Sequence, residues 1–127
     1  MKITWLAEPM VKTGAVSYRI PVRMEYDPAY DPYAVALRFL PAGRVLTWLL
    51  ARDLLRDGLS RMAGEGDVQV TPGAVTVGVH LCSDAGEALA VFARDDVTQF
   101  LRSTYIEVPD GTEAGHIDWD RFPGVAA

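Results

Sequence analysis

The sequence predicts an α+β domain of about seven mostly antiparallel strands, in sheets or a barrel-like arrangement, with two helices. The first observation is the regular alternation of apolar and polar residues in "SYRIPVRMEY" at 17–26, which is typical of a half-buried strand. The second is that the apolar period lengthens from two to about 3.6 residues at only two places, after Ala51 and after Asp95. The third is that strands and helices do not alternate along the chain, which argues against a parallel α/β fold.

The N-terminal half predicts four strands. A weak strand lies near 3–7, and the strand at 17–26 contains Pro21, whose missing N–H predicts an edge or a bulge. Two Asp-Pro pairs in "DPAYDP" at 27–32 predict a turn. The next strands, at 33–40 and 45–51, are separated only by "PAGR" and are therefore predicted to form a hairpin.

The C-terminal half predicts a helix, three strands and a second helix. The first helix begins at Arg52 and is weakened by Gly58, which costs about 1 kcal/mol relative to Ala. Its inward-facing residues are predicted to be Leu54, Leu55, Leu59 and Met62. A meander of strands follows at 67–72, 74–83 and 89–94. Asp95 is predicted to be the N-cap of the last helix, which Pro109 ends. The inward side of that helix is predicted to carry Val97, Phe100, Leu101 and Tyr105.

Length and charge define the domain organisation. A chain of 127 residues, 50% apolar and 23% charged, is long enough for one domain with a substantial core. We place this domain at 1–113 and an acidic C-terminal tail at 114–127, in which Ile117, Trp119 and Phe122 are the side chains able to pin the tail. No apolar run reaches the roughly 18–20 residues that span a bilayer, and the N-terminus makes a poor signal peptide, so we expect a cytoplasmic protein.

Motifs that carry chemistry are scarce. In "GEGD" at 64–67 the order is helix then strand, the reverse of a phosphate-binding loop, so these glycines are interpreted as a turn. Cys82 is the single cysteine, and His80 and His116 have no clustered partners in the sequence, so we expect neither a metal site nor a catalytic base. The sequence therefore predicts no enzyme, no cofactor and no small-molecule substrate.

One basic stretch stands out in the first half of the chain. Arg19 and Arg23 lie on the polar side of the 17–26 strand, and Arg38 and Arg44 lie on the following hairpin. Arginines and nearby aromatic residues on a sheet can bind single-stranded nucleic acid. The alternative is an ordinary solvated face, since acidic residues also occur there, and the negative net charge of −5 disfavours a nucleic-acid partner.

Several segments of the chain form a recognisable ordered set: "YDPYAVALRF", "WLLARDLLRDGL", "GEGDVQV", "CSDAGEAL", "FLRST" and "VPDGTE". Taken in order, they resemble the SsgA-like family of sporulation and cell-division proteins of filamentous actinobacteria. No single segment is diagnostic, and the resemblance depends on their shared order and spacing over roughly residues 17–113. The N-terminal segment and the tail lie outside it.

The resemblance implies a non-enzymatic regulator of sporulation-associated cell division. Such a protein acts as an adaptor in septum-site selection, recruits the tubulin-like protein FtsZ, and is itself recruited from the cytoplasm to the division septum. The resemblance also implies a Whirly-like fold, a homotrimer, and FtsZ and other SsgA-like proteins as partners.

The resemblance assigns no contact residues, so these are inferred from the sequence pattern. The polar side of the first helix presents Arg52, Arg56 and Asp57, which we take as a candidate partner-binding face. Trp5, on the weak N-terminal strand, is a candidate for packing against a neighbouring subunit through a sheet edge.

Overall fold

The computed structural model describes residues 1–121, which form nine strands, two α-helices and two short 3₁₀ helices. The first six strands precede the first helix. They are β1 (Ile3–Ala7), β2 (Met10–Thr13), β3 (Val16–Arg19), β4 (Val22–Tyr26), β5 (Ala34–Phe39) and β6 (Leu46–Ala51). The remaining elements are α1 (Arg52–Asp57), β7 (Val68–Pro72), β8 (Thr76–Ser83), β9 (Gly86–Ala93), α2 (Arg94–Glu107) and the 3₁₀ helices Glu113–His116 and Trp119–Arg121.

The strands form two sheets in which all pairs are antiparallel. The first sheet has the order β1-β4-β5-β6, and the second has the order β3-β2-β9-β8-β7. One face of each sheet contributes to a single apolar core, to which α2 adds Val97, Phe100 and Leu101. The α+β class is confirmed, as are the β5–β6 hairpin, the β7–β8–β9 meander and the turn at 27–32.

The prediction of one strand over 17–26 is wrong. The chain leaves the second sheet after β3 and enters the first sheet at β4, with the break at Ile20 and Pro21. Side-chain alternation continues through this crossover, so the pattern could not reveal it. The split, together with β2, raises the number of strands in the described residues from the predicted seven to nine.

Both helices begin or end differently from the prediction. α1 ends at Asp57, and its C-cap Gly58 lies so close to Val70 that a Cβ at residue 58 would overlap the Val70 side chain. Met62 is consequently exposed instead of inward-facing. The predicted N-cap Asp95 is also wrong: β9 runs directly into α2, Ala93 is the N-cap, and Asp95 lies in the first turn.

The last described residues contact the body of the domain. The Asp118 N–H donates to the Ala29 carbonyl oxygen at 2.8 Å, and Ile117 is half-buried. Phe122, which we expected to help pin the tail, lies outside the described residues. No helix within residues 1–121 is long and apolar enough to cross a bilayer.

Candidate interaction surfaces

Arg52 does not lie on the outer face of α1, and this part of the prediction is wrong. The residue is 1% exposed, and its guanidinium donates to the carbonyl oxygens of Thr104 at 3.1 Å and Val108 at 2.8 Å. Its Nη2 also forms an ion pair with Glu113 at 3.2 Å. A side chain enclosed in this way connects segments of its own chain and cannot contact a partner directly.

Aromatic rings complete the environment of Arg52. The Arg52 guanidinium lies 3.9 Å from the ring centroid of Tyr105 and 5.0 Å from that of Tyr26, within the range of cation–π attraction. Burial raises the pKa of Tyr26 to about 12, so its hydroxyl stays protonated and donates to the Pro32 carbonyl oxygen. The pKa of Glu113 is lowered by hydrogen bonds from the backbone and from Arg52, although desolvation opposes the shift.

Arg56 and Asp57 remain on the surface of α1, but they are engaged within the chain. Arg56 forms ion pairs with Asp53 at 3.4 Å, with Asp57 at 3.2 Å and with Asp110 at 3.2 Å. Asp57 also pairs with Arg61 at 3.4 Å. The helix face therefore has both charge signs and little net charge, and partner binding through Arg56 and Asp57 stays a prediction.

A second charged cluster lies on the side of the first sheet that faces away from the core. Glu25 is only 6% exposed, although it points to this outer side, because three cations surround it. Its carboxylate lies 3.3 Å from Lys2 and 2.6 Å from both Arg23 and Arg38. Desolvation raises the pKa of Glu25, but hydrogen bonds and charges from Arg38 and Lys2 outweigh it and lower the pKa below its usual value.

Large apolar side chains flank this cluster. Leu6 on edge strand β1 is 72% exposed, and Leu49 on β6 is 67% exposed. The register places Leu6 beside Arg23 and Leu49 beside Ala36, so both leucines share the side that carries Glu25. We call the surface formed by Lys2, Leu6, Arg23, Glu25, Arg38 and Leu49 the outer sheet face.

The prediction of one basic stretch for nucleic acid is wrong in its geometry. Arg19 lies on β3 in the second sheet and donates to the Glu8 carbonyl oxygen at 2.9 Å. Arg23 and Arg38 lie in the first sheet and share Glu25, while Arg44 is in the turn between β5 and β6. The four arginines therefore do not share one strand face, and nucleic-acid binding through them stays a prediction.

Trp5 lies on an edge strand, as predicted, but its indole turns inward. Its Nε1 donates to Asp96 Oδ1 at 3.0 Å, and the half-buried ring packs against the core. The large side chain that β1 exposes is Leu6. The role of Trp5 in an oligomer interface stays a prediction.

The sequence pattern contained signals for the residues that were missed. Alternation in 22–26 places Glu25 on the same side as Arg23, and the β4–β5 register brings Arg38 opposite Arg23. Glu113 gave no such signal, because its partner Arg52 is 61 residues away in the sequence.

The amino-acid sequence of the chain matches a known protein family. The family described as "Streptomyces sporulation and cell division protein, SsgA" matches residues 20–113, which is most of the chain. The chain belongs to the SsgA family. The match includes β4, both helices and Glu113, and thus the Arg52–Glu113 ion pair as well as Arg23, Glu25 and Arg38 of the outer sheet face.

Individual members of the SsgA family are similar over nearly the full chain. The sporulation-specific cell division protein SsgB of Frankia casuarinae is 42% identical over 120 residues, covering 91% of this chain and 83% of the relative. SsgB of Streptomyces coelicolor is 40% identical over 117 residues, covering 88% and 85%.

Solved structures from the SsgA family share the fold. An SsgA-like sporulation-specific cell division protein from Thermobifida fusca superposes with a TM-score of 0.84 and 30% identity, covering 95% of this chain and 92% of the other. A structure from work on SsgB mutations that correlate with longitudinal cell division in sporulating Streptomyces coelicolor gives a TM-score of 0.79 and 37% identity, covering 92% and 98%. These comparisons support a role in sporulation-associated cell division.

Proposed function

We propose that this protein is a non-enzymatic adaptor in sporulation-associated cell division, which acts in septum-site selection by recruiting FtsZ to the division septum. Membership of the SsgA family and the names of the SsgB relatives support the process. The recruiting role requires a surface that can bind another protein. The observation that carries this proposal is the outer sheet face.

The outer sheet face has the chemistry of a protein-binding surface. Its two exposed leucines offer apolar area, and three cations around a single carboxylate leave an excess of positive charge. Apolar anchors supply binding energy, whereas charge complementarity mainly supplies specificity and association rate. The complementary partner surface would carry apolar and acidic side chains.

The contacts that hold Arg38 in place also favour a partner-binding role for the outer sheet face. Arg38 donates to Thr47 Oγ1 at 3.0 Å as well as pairing with Glu25, so its guanidinium is held between β4 and β6. Side chains fixed before binding lose less conformational entropy when the complex forms. By contrast, on the α1 face Arg56 is shared among three carboxylates, so that face has no excess of positive charge.

Co-sedimentation with polymerised FtsZ from the same organism tests the proposal. We expect saturable pelleting of the unmodified protein that disappears without polymer. The double variant Leu6→Glu/Leu49→Glu should lose pelleting by about tenfold or more, since both apolar anchors are replaced by charges. Ile106→Glu is the matched control, because Ile106 is an equally exposed apolar residue on α2.

Two further outcomes are informative. Loss of pelleting in Arg56→Ala/Asp57→Ala, with full pelleting of the leucine variant, would assign binding to the α1 face instead. Absence of pelleting by the unmodified protein would contradict direct recruitment of FtsZ. Binding to other SsgA-like proteins and assembly into a homotrimer belong to the same proposal.

A further inference from the structure

Three metal-binding side chains meet on the side of the second sheet that faces away from the core. They are His80 and Cys82 on β8 and Glu87 on β9. The Cys82 sulfur lies 3.6 Å from His80 Nδ1 and 3.9 Å from His80 Nε2, and 3.7 Å from Glu87 Oε1. His80 Nε2 lies 3.7 Å from Glu87 Oε2.

These separations are close to those required by a tetrahedral zinc ion. Zinc–ligand bonds of about 2.0 Å to nitrogen or oxygen and about 2.3 Å to sulfur, at tetrahedral angles, put pairs of donor atoms about 3.3–3.6 Å apart. With His80 Nε2 as the donor, the Sγ–Nε2 distance of 3.9 Å and the Nε2–Oε2 distance of 3.7 Å each exceed these values by about 0.4 Å. One donor atom from each of the three residues lies within 4.8 Å of the other two, a gap that side-chain rotation can close. A thiolate, an imidazole and a carboxylate are also the donor types that zinc uses.

The β8–β9 hairpin holds the three donors in register. Cys82 and Glu87 are directly paired residues, and His80 is two positions from Cys82 on the same side of β8. The hairpin closes through a two-residue turn between Ser83 and Gly86. The Cys82 N–H donates to the Asp67 carbonyl oxygen at 2.8 Å, which connects this end of β8 to the β7 side. A site on paired strands is better preorganised than a site on a loop.

The electrostatic environment also favours a cation. The Glu87 carboxylate lies 3.7 Å from the Cys82 sulfur, and a second acidic residue, Asp67, is hydrogen-bonded to Cys82 through its backbone carbonyl. Within residues 1–121 there is one other cluster of acidic ligands, formed by Asp53, Asp110 and Glu113. Its carboxylates already form ion pairs with Arg52 and Arg56. Within the same described residues, Glu87 forms an ion pair only with His80, which is charged only when protonated.

We propose that His80, Cys82 and Glu87 form a three-ligand Zn²⁺ site on the outer side of the second sheet. A ring nitrogen, the thiolate and a carboxylate oxygen bind the metal, and a water molecule completes the tetrahedron. On binding, the Cys82 thiol loses its proton to solvent, and no redox change takes place. This site is independent of the proposed FtsZ-binding function, because it lies on the other sheet.

Titration of the full-length, reduced protein with Co²⁺, followed by displacement with Zn²⁺, tests the site. We expect one equivalent of Co²⁺ to produce thiolate-to-metal charge-transfer absorption, which can arise only from Cys82 because the chain has a single cysteine. Zn²⁺ should abolish this absorption. Cys82→Ser should remove the band and weaken Zn²⁺ binding, measured by competition with a chromogenic chelator, by about 100-fold.

Two variants separate this site from other metal binding. His80→Asn should weaken Zn²⁺ binding as Cys82→Ser does, whereas His116→Asn, which alters the second histidine, should leave it unchanged. Urea unfolding of each variant checks that the fold is retained. Absence of the charge-transfer band in the unmodified protein, or equal Zn²⁺ affinity in Cys82→Ser, would overturn the proposal.

Discussion

Arg52 holds the C-terminal end of α2 in place. Arg52 donates to the Thr104 carbonyl oxygen, which also accepts the Val108 N–H, and to the carbonyl oxygen of Val108, the C-cap of α2. The same guanidinium neutralises Glu113, which follows the end of α2. One side chain at the start of α1 thus fixes the position of two later segments.

Replacing Arg52 with Met should destabilise the protein strongly. The change removes the charged partner of the buried Glu113 carboxylate and the Arg52 donors to the Thr104 and Val108 carbonyl oxygens. Breaking a buried ion pair in this way costs about 3–5 kcal/mol. Urea unfolding measures the loss. Arg61→Met is the control: Arg61 is 71% exposed and, in the part of the chain that the structure describes, pairs only with Asp57, so the expected change is below about 1 kcal/mol. Equal effects of the two substitutions would contradict a structural role for Arg52.

Among the elements, the turn between α1 and β7 depends on a particular glycine. Gly64 has a φ of +96°, and a Cβ there would overlap the Val68 carbonyl oxygen. Gly66 has a φ of +73° but open space around its Cα. The two glycines therefore share the conformational requirement and differ in the room available for a side chain.

Substitution of Gly64 and Gly66 by Ala separates the cost of the left-handed backbone conformation from the cost of the steric overlap. Gly66→Ala should cost about 1 kcal/mol of unfolding free energy, from the left-handed conformation alone. Gly64→Ala should cost more, by about 1–3 kcal/mol, because the backbone must also shift to relieve the overlap. Thermal or urea unfolding of both variants provides the comparison. A Gly64 variant as stable as the Gly66 variant would show that the turn can relax freely.

The elements also show which features the sequence could predict. The β5–β6 hairpin and the β7–β8–β9 meander followed from local alternation and short connections, which are the features that determine neighbouring antiparallel strands. The change of sheet at Pro21 could not be predicted in this way, because apolar and polar residues alternate in the same manner whichever sheet a strand joins. The burial of Arg52 also escaped prediction, since its acceptors lie 52 and 56 residues away.

Strand boundaries determined whether the metal-binding cluster could be recognised. The sequence placed the start of the last strand at residue 89, whereas β9 begins at Gly86. The longer strand pairs Glu87 with Cys82, which puts its carboxylate beside the thiol. An error of three residues in one boundary was therefore enough to hide a three-residue site.

Considered as a whole molecule, the protein has two sheets that share a core and have two edge strands each, of which β7 is partly covered by the bridge between Ala63 and Val70. β1 and β6 are the edges of the first sheet, and β3 and β7 those of the second. Between β6 and the second sheet lies a groove of about 640 Å³, lined in part by Leu46, Trp48, Leu81 and Ala88. The groove is also lined by Val45, which is exposed like Leu46, and the exposed Tyr18 lies beside it. Grouped apolar side chains of this kind are typical of a surface that another chain covers.

In the proposed homotrimer, a neighbouring copy of the same chain would cover this groove. Light scattering at micromolar concentration should give three times the chain mass of 13.9 kDa. Val45→Glu/Leu46→Glu should give the mass of a single chain, because burying two carboxylates against an apolar surface is unfavourable. Val75→Glu, at an exposed apolar position in another turn, should remain trimeric. A monomeric unmodified protein would contradict the trimer. A trimeric Val45→Glu/Leu46→Glu variant would instead place the subunit contact away from the groove, with the β1 edge that carries Trp5 and Leu6 as the next surface to substitute.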